Sequence, residues 1–192
     1  MRNDGKVREY RPPVPGPTNR TIVDAMGVVM TKRIDPALLT PIVGTLYPTP
    51  FDVPCRARQR RKLGDAAGLT QFGINLLTLP AGAWSSQRHW HSASDEFIYV
   101  LSGEITLVTD AGEELLRGGD AAGFKAGDRN GHCLQNRSSA DVQVLEIGTR
   151  VADDAADYPD IDMASPAGGN PAVYTHRDGT PYRDIRRRSP DA

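Results

Sequence analysis

The sequence has little that would support a covalent framework, a membrane anchor or polyanion binding. Cysteine occurs twice in 192 residues, as Cys55 and Cys133. Two thiols cannot staple a small fold with several bridges, and a reducing cytoplasm is the compartment expected for such a chain. No apolar run approaches the roughly 20 residues of a membrane-spanning helix. The N-terminal stretch MRNDGKVREYRPPVPGP also lacks the apolar segment of a secretory signal. Charge of one sign is missing too. The 23 basic and 24 acidic residues leave a net charge of −1, so bulk attraction to nucleic acid or to an anionic membrane does not organise the molecule. Neither is expected as a partner. At 20.8 kDa the chain suits one domain of about 120 residues with extensions.

Proline is plentiful but unevenly placed. Nine of the fifteen prolines fall within the first 54 residues. Proline fixes φ and has no N–H to donate, so this stretch cannot form a helix of any length or a central strand. Residues 1–50 are therefore read as an arm, with 1–20 extended or disordered. One short helix is expected from Pro36 to about Thr40, with Asp35 as N-cap and Pro36 at the first helical position. The segment Tyr47-Pro48-Thr49-Pro50-Phe51 reads as an extended hydrophobic hook.

The pattern changes at about Gln71. Short runs rich in Val, Ile, Leu, Phe and Tyr then alternate with Gly, Asp, Asn and Ser turns roughly every ten residues. They read QFGINLLTL, SQRHWH, EFIYVLS, EITLVT, EELLR, AAGFKA, HCLQN and VQVLEIG. Asp110-Ala111-Gly112 is a hairpin turn between two of them. Eight short strands without an intervening helical period predict an all-β sandwich or small barrel over residues 51–150. Residues 151–192 are acidic and turn-rich, then basic, and read as a surface strap.

Four histidines are present, and three lie among the strands. His89 and His91 are spaced i, i+2, which on a strand sends both imidazoles to one face and Trp90 to the other. Neighbouring imidazoles on an inward face repel when protonated, and a divalent cation relieves that by binding the neutral nitrogens. Glu96 follows at the start of the next strand, and His132 opens HCLQN. Three imidazoles and a carboxylate suit a single divalent transition metal ion (Fe, Mn, Ni, Zn, Co or Cu) rather than Mg or Ca.

These residues fall in a pattern that resembles the cupin superfamily. Gly82, His89, His91, Glu96 and Gly103, within GAWSSQRHWHSASDEFIYVLSGE, resemble its first motif. Gly119, Gly127, His132 and Asn136, within GGDAAGFKAGDRNGHCLQN, resemble its second, with Lys125 in place of the usual proline. The flanks LGDAAGLTQFGIN and THRDGTPY are similar to those of a single-domain bacterial group in the superfamily. The resemblance implies a double-stranded β-helix, a small jelly roll, with His89, His91, Glu96 and His132 as metal ligands lining its interior.

Strand parity then nominates the lining of a small-molecule pocket. Gln87 shares a face with His89 and His91, Ile98 and Val100 share one with Glu96, and Leu134 and Asn136 share one with His132. Asn75 and Gln71 are weaker candidates. The expected pocket is mostly apolar with a few amides. Cys133 should point away from the metal, and His176 reads as an exposed residue of the strap. The basic run Arg56, Arg58, Arg60, Arg61, Lys62 reads as a solvated face or dimer arm, since no recognition helix accompanies it. No nucleophilic triad or second acid/base group stands out. The expected function is a metal-dependent small-molecule enzyme, leaning to a non-haem dioxygenase. The alternatives are an isomerase or lyase of a sugar or keto acid, or a binding module without catalysis. A homodimer is expected from the arm and from sheet edges that need covering.

Overall fold

Residues alternating between apolar and polar over short runs can bury one face only by pairing side by side. The computed structural model describes residues 22–23, 29–30, 33–168 and 173–191, and it realises that pattern as antiparallel sheet. The chain divides into two compact units, Met1–Arg33 and Ile34–Ala192. In the first, β1 (Ile22–Val23) pairs with β2 (Val29–Met30). The extended arm expected over residues 1–20 lies outside the described residues.

The second unit holds β3 (Ile42–Val43), β4 (Gln59–Lys62), β5 (Phe72–Leu79), β6 (Trp90–His91), β7 (Glu96–Ser102) and β8 (Glu104–Thr109). These are followed by β9 (Gly112–Arg117), β10 (Ala121–Phe124), β11 (Cys133–Gln135), β12 (Val142–Thr149), β13 (Ala156–Tyr158) and β14 (Met163–Ser165). All eight expected strands are present, as β5 to β12. A six-stranded sheet runs β10-β7-β12-β5-β4-β3, and a three-stranded sheet runs β11-β8-β9. Between them lies an aliphatic core that includes Leu77, Leu79, Val100, Ile105, Val142 and Val144, each fully buried. Burying each of these side chains stabilises the fold by about 1.5–3 kcal/mol. This is the all-β jelly-roll barrel implied by the sequence.

The extensions are more structured than the arm-and-strap reading suggested. Within the proline-rich region β3 pairs with β4, and β4 with β5, so both belong to the large sheet. The short helix is a 3-10 turn, Pro36–Leu38, whose N-cap Asp35 accepts a hydrogen bond from the Ala37 N–H at 3.0 Å. Tyr47 of the hook is buried edge-on against Tyr158 and Tyr174, with ring centroids 5.6 and 5.3 Å away. With Cys55, Ala156 and Met163 these tyrosines form a second buried cluster, so hook and strap pack on each other. The strap strands β13 and β14 extend β6 into a further sheet, in which Ala156 pairs with His91 and Asp157 with Trp90.

The basic run departs from its expected role as a solvated face. Its alternation places Arg58, Arg60 and Lys62 on one side of β4 and Arg61 on the other. Arg58 is buried at 9% exposure, and Arg60 is half-buried. Their acceptors come from segments distant in the chain, Gly44, Thr45 and Ser85 for Arg58 and Ser85 and Glu146 for Arg60. No helix among the described residues is long and apolar enough to cross a membrane.

Candidate metal centre

β7 sets the site. Its side chains alternate, with Glu96, Ile98 and Val100 inward and Phe97, Tyr99 and Leu101 outward. The register places Phe124 of β10, Gly148 of β12 and Gly73 of β5 in the same cross-strand row as Glu96. The two glycines add no side chain, which leaves space beside the carboxylate. Gly82, Gly103, Gly119 and Gly127, the motif glycines, all take positive φ. At Gly103 (φ +86°) a Cβ would lie 2.9 Å from Val142 Cγ2, so the tight turn leading from β7 to β8 requires glycine.

His89 and His132 lie outside the strands proper but bridge one another. Each donates its backbone N–H to the other's carbonyl, at 3.1 and 2.8 Å. This join brings the two sequence-distant motifs together. The Nε2 atoms of His132, His91 and His89 lie 3.0, 3.6 and 3.8 Å from Glu96 Oε2. Donor atoms of His89, His91 and Glu96 all fall within 4.8 Å of one another. His132 stands outside that mutual set and joins it through Glu96.

Partners on the far side of the His89 and His91 rings decide which nitrogen faces inward, whereas the buried Nδ1 of His132 has no partner among the described residues. Nδ1–H of His89 donates to the Gln87 carbonyl at 3.0 Å, and Nδ1–H of His91 donates to Asp154 Oδ2 at 2.6 Å. Both Nε2 atoms are thereby left with lone pairs toward Glu96. Phe124 stacks on His132 with centroids 3.5 Å apart, and Tyr158 stacks on His89 at 5.6 Å. Burial pulls the His89 pKa down to about 3 against the opposing charge of Glu96, so the ring is neutral. Burial raises the Glu96 carboxyl, but the imidazoles around it more than offset that and hold it at about 2. The carboxylate is therefore ionised, yet its buried Oε2, 3.0 Å from His132 Nε2, makes no well-aligned hydrogen bond among the described residues. A buried anionic oxygen left without a partner is costly unless a cation completes it. This N3O donor set fits a transition-metal ion.

A cavity of about 340 Å³ opens against His89, Glu96 and His132. A second, of about 260 Å³, touches His91, Glu96 and His132 from the other side of Phe124. Of the side chains nominated by parity, Asn75, Ile98 and Leu134 line the larger cavity. Three others do not. Gln87 donates to the Phe51 carbonyl at 2.6 Å. Val100 is fully buried in the aliphatic core. Asn136 donates to the carbonyls of Leu79 and Ala140, pinning a turn. Parity gives the face of a strand but not the depth along the barrel, and the wrong choices follow from that. Gln71 is exposed and lines neither cavity. Cys133 is buried, and its thiol accepts from Gln135 Nε2 at 3.6 Å. His176 pairs with Asp162 and stacks on Tyr182, outside both cavities.

Sequence reasoning missed the charged wall. Arg60 is held bidentate by Glu146, with Nε 2.6 Å from Oε2 and Nη2 2.7 Å from Oε1, and both residues line the larger cavity. The lining therefore mixes charged and apolar groups, rather than being apolar with a few amides. Glu146 could have been found, because it continues the inward register of Val142 and Val144. Asp154 could not, since it reaches His91 from a turn of the strap.

Comparison with known proteins places this geometry in a family. The cupin domain family matches residues 75–148. The structure superimposes on a sugar phosphate isomerase from a cupin superfamily of Silicibacter pomeroyi with a TM-score of 0.75 and 39% sequence identity, covering 80% of this chain and 99% of that one. This chain is a cupin. A protein of Acidithiobacillus ferrooxidans provisionally called a sugar phosphate isomerase matches 68% of this cupin and 82% of its own length, with 29% identity and a TM-score of 0.60. The polyketide cyclase RemF from Streptomyces resistomycificus shares the fold at 21% identity and a TM-score of 0.51, over 62% of this cupin and 80% of its own length. No curated protein matches the cupin in sequence.

Proposed function

We propose that this cupin is a metal-dependent isomerase that interconverts small hydroxycarbonyl compounds of the sugar phosphate class. The observation that carries the reading is the juxtaposition of the His89, His91, Glu96 and His132 donors with a charged cavity of about 340 Å³. The Silicibacter relative, described as a sugar phosphate isomerase, supports it at 39% identity. The dioxygenase reading rested on the lack of a second acid/base group, and Glu146 now supplies one.

The four donors would hold a divalent ion, which when bound supplies Lewis acidity to a substrate oxygen. The chain's own groups do the rest. Asn75 and the hydroxyls of Ser85 and Ser86 line the cavity and can orient substrate hydroxyls. Glu146, a wall carboxylate outside the donor set, would take the proton from the hydroxyl-bearing carbon beside the carbonyl and return it to the former carbonyl carbon, while the hydroxyl proton of that first carbon passes to the former carbonyl oxygen. The exchange is internal to the substrate and consumes no oxidant. Arg60, bound to both carboxylate oxygens, fixes the direction in which Glu146 points.

The test begins with elemental analysis of the purified protein and of His89→Ala and His132→Ala. One equivalent of metal per chain is expected, lost in both variants. The loaded protein is then incubated in D2O with aldose and ketose monophosphates, and deuterium entry at carbon is followed by NMR. Glu146→Gln should slow that exchange by about 100-fold or more, the contribution typical of a general base. Absence of metal after reconstitution would overturn the reading, and stoichiometric oxygen uptake would return it to the dioxygenase class. Tight ligand binding without turnover would make the protein a binding module.

A further inference from the structure

The basic run on β4 serves more than the metal-centre cavity. A smaller cavity of about 180 Å³ shares Arg58, Arg60 and Asn75 with it, and adds Lys62, Tyr174 and Arg187 to its walls. Four cations thus line one small space, and no aspartate or glutamate is among its lining residues. Three of them follow from the alternation of Arg58, Arg60 and Lys62 on β4. The fourth, Arg187, comes from the strap.

The charges are unevenly compensated. Arg60 is neutralised by Glu146, and Lys62 meets Asp65 at 3.2 Å in an exposed pair. Arg58 has no carboxylate partner among the described residues. Its guanidinium donates to the Gly44 carbonyl, the Thr45 hydroxyl and the Ser85 carbonyl, all neutral acceptors, while only 9% of the residue is exposed. The ring of Tyr47 lies 5.3 Å from the guanidinium carbon. Among the described residues, Nη1 of Arg187 reaches only the Val43 carbonyl, at 3.5 Å. Burial and the nearby charges of Arg58 and Arg60 pull the pKa of Arg187 down, as crowded cations without an anion should. A buried guanidinium whose hydrogen bonds all go to neutral atoms is stabilised when an anion enters beside it.

We propose that this cationic cavity is a binding site for a phosphate-type oxyanion. Its occupant is either the phosphoryl group of a sugar phosphate or free inorganic phosphate. The first source rests on the isomerase reading, whereas the site itself rests on charge and burial.

Calorimetry on the full-length, metal-loaded protein tests it. The probes are inorganic phosphate, a hexose monophosphate and the unphosphorylated hexose. Lys62→Gln combined with Arg187→Gln removes the two exposed cations and leaves the buried Arg58 in place. Inorganic phosphate should bind the wild type, and the double variant should bind it about tenfold or more weakly, with unchanged metal content and melting temperature. An ester that binds more tightly than inorganic phosphate, with the free sugar weakest, identifies the substrate as the source. Equal affinity for ester and phosphate identifies the free anion, and either result supports the site. No binding of phosphate at millimolar concentrations, or equal binding by the double variant, would overturn it. Phosphate binding without any isomerisation would sink the isomerase reading and leave the anion site standing.

Discussion

At the scale of single residues, the candidate centre depends on groups one step removed from the donors. Asp154 holds the His91 ring through Nδ1 and also accepts from the backbone N–H groups of Ala93 and Ser94 at 2.8 and 3.1 Å. It therefore fixes both the tautomer of His91 and the loop that carries it. Asp154→Ala should weaken metal binding about 10- to 100-fold, as loss of such a supporting carboxylate typically does. Competition with a chromogenic chelator would measure it, and Asp154→Asn should recover part of the loss by accepting the same hydrogen bond. Unchanged affinity in Asp154→Ala would mean that packing alone orients the ring. Glu146 shows a different residue-scale principle. A charged residue in an inward register position must find a partner, and Arg60 meets that need by reaching across β5 from β4.

Among the elements, the strap is the part most sensitive to acid. Four of its carboxylates, Asp154, Asp160, Asp162 and Asp178, have lowered pKa values. Burial opposes ionisation of Asp154, but the Ala93 N–H and His91 outweigh it. Asp160 is lowered first by its hydrogen bond from Arg88, and Asp162 by the backbone N–H of Arg177 and then by His176. Each folded value lies below the unfolded one, near 3.9 for Asp. The native strap therefore binds fewer protons than the unfolded chain as pH falls, and the stability these groups contribute is present above about pH 4–5 and lost below it. Limited proteolysis should cut within residues 151–192 at pH 3–4 before the barrel strands are attacked, and no difference from neutral pH would show that tyrosine packing holds the strap unaided. The barrel strands answer to packing instead. Leu77→Ala, at a fully buried position of β5, should cost about 2–5 kcal/mol in denaturant unfolding. Gly103→Ala should cost roughly 1–3 kcal/mol through positive φ and the contact with Val142.

On the scale of the whole molecule, one feature of the large sheet remains uncovered. Phe97, Tyr99 and Leu101, on the outer face of β7, are 42%, 40% and 46% exposed. Their neighbours in the register, Ile147 and Leu145 of β12, continue the apolar surface. The homodimer expected from the sequence would cover this face with its copy from a second chain. Light scattering should then give twice the mass of one chain, and Phe97→Lys with Tyr99→Lys should return it to 20.8 kDa. A wild type with the mass of one chain would leave the sheet face without that role.

The barrel could be read from residue order because its signals are local. Period-two alternation, turn residues at Asp110-Ala111-Gly112 and glycines at fixed offsets from histidines all act within a few positions. The donor set was legible for the same reason, each half lying inside one short motif. The cavity was not. Whether Val100 faces substrate or core, and whether Gln87 is free or tied to Phe51, depends on depth within the closed barrel, which alternation does not encode. The basic run shows the divide most clearly. Alternation alone puts Arg58, Arg60 and Lys62 on one side of a strand. Only the packing of β4 against β5, the reach of Glu146 from β12 and the carbonyls of Gly44 and Ser85 bury Arg58 and Arg60, because burying a cation requires acceptors drawn from segments far apart in the chain.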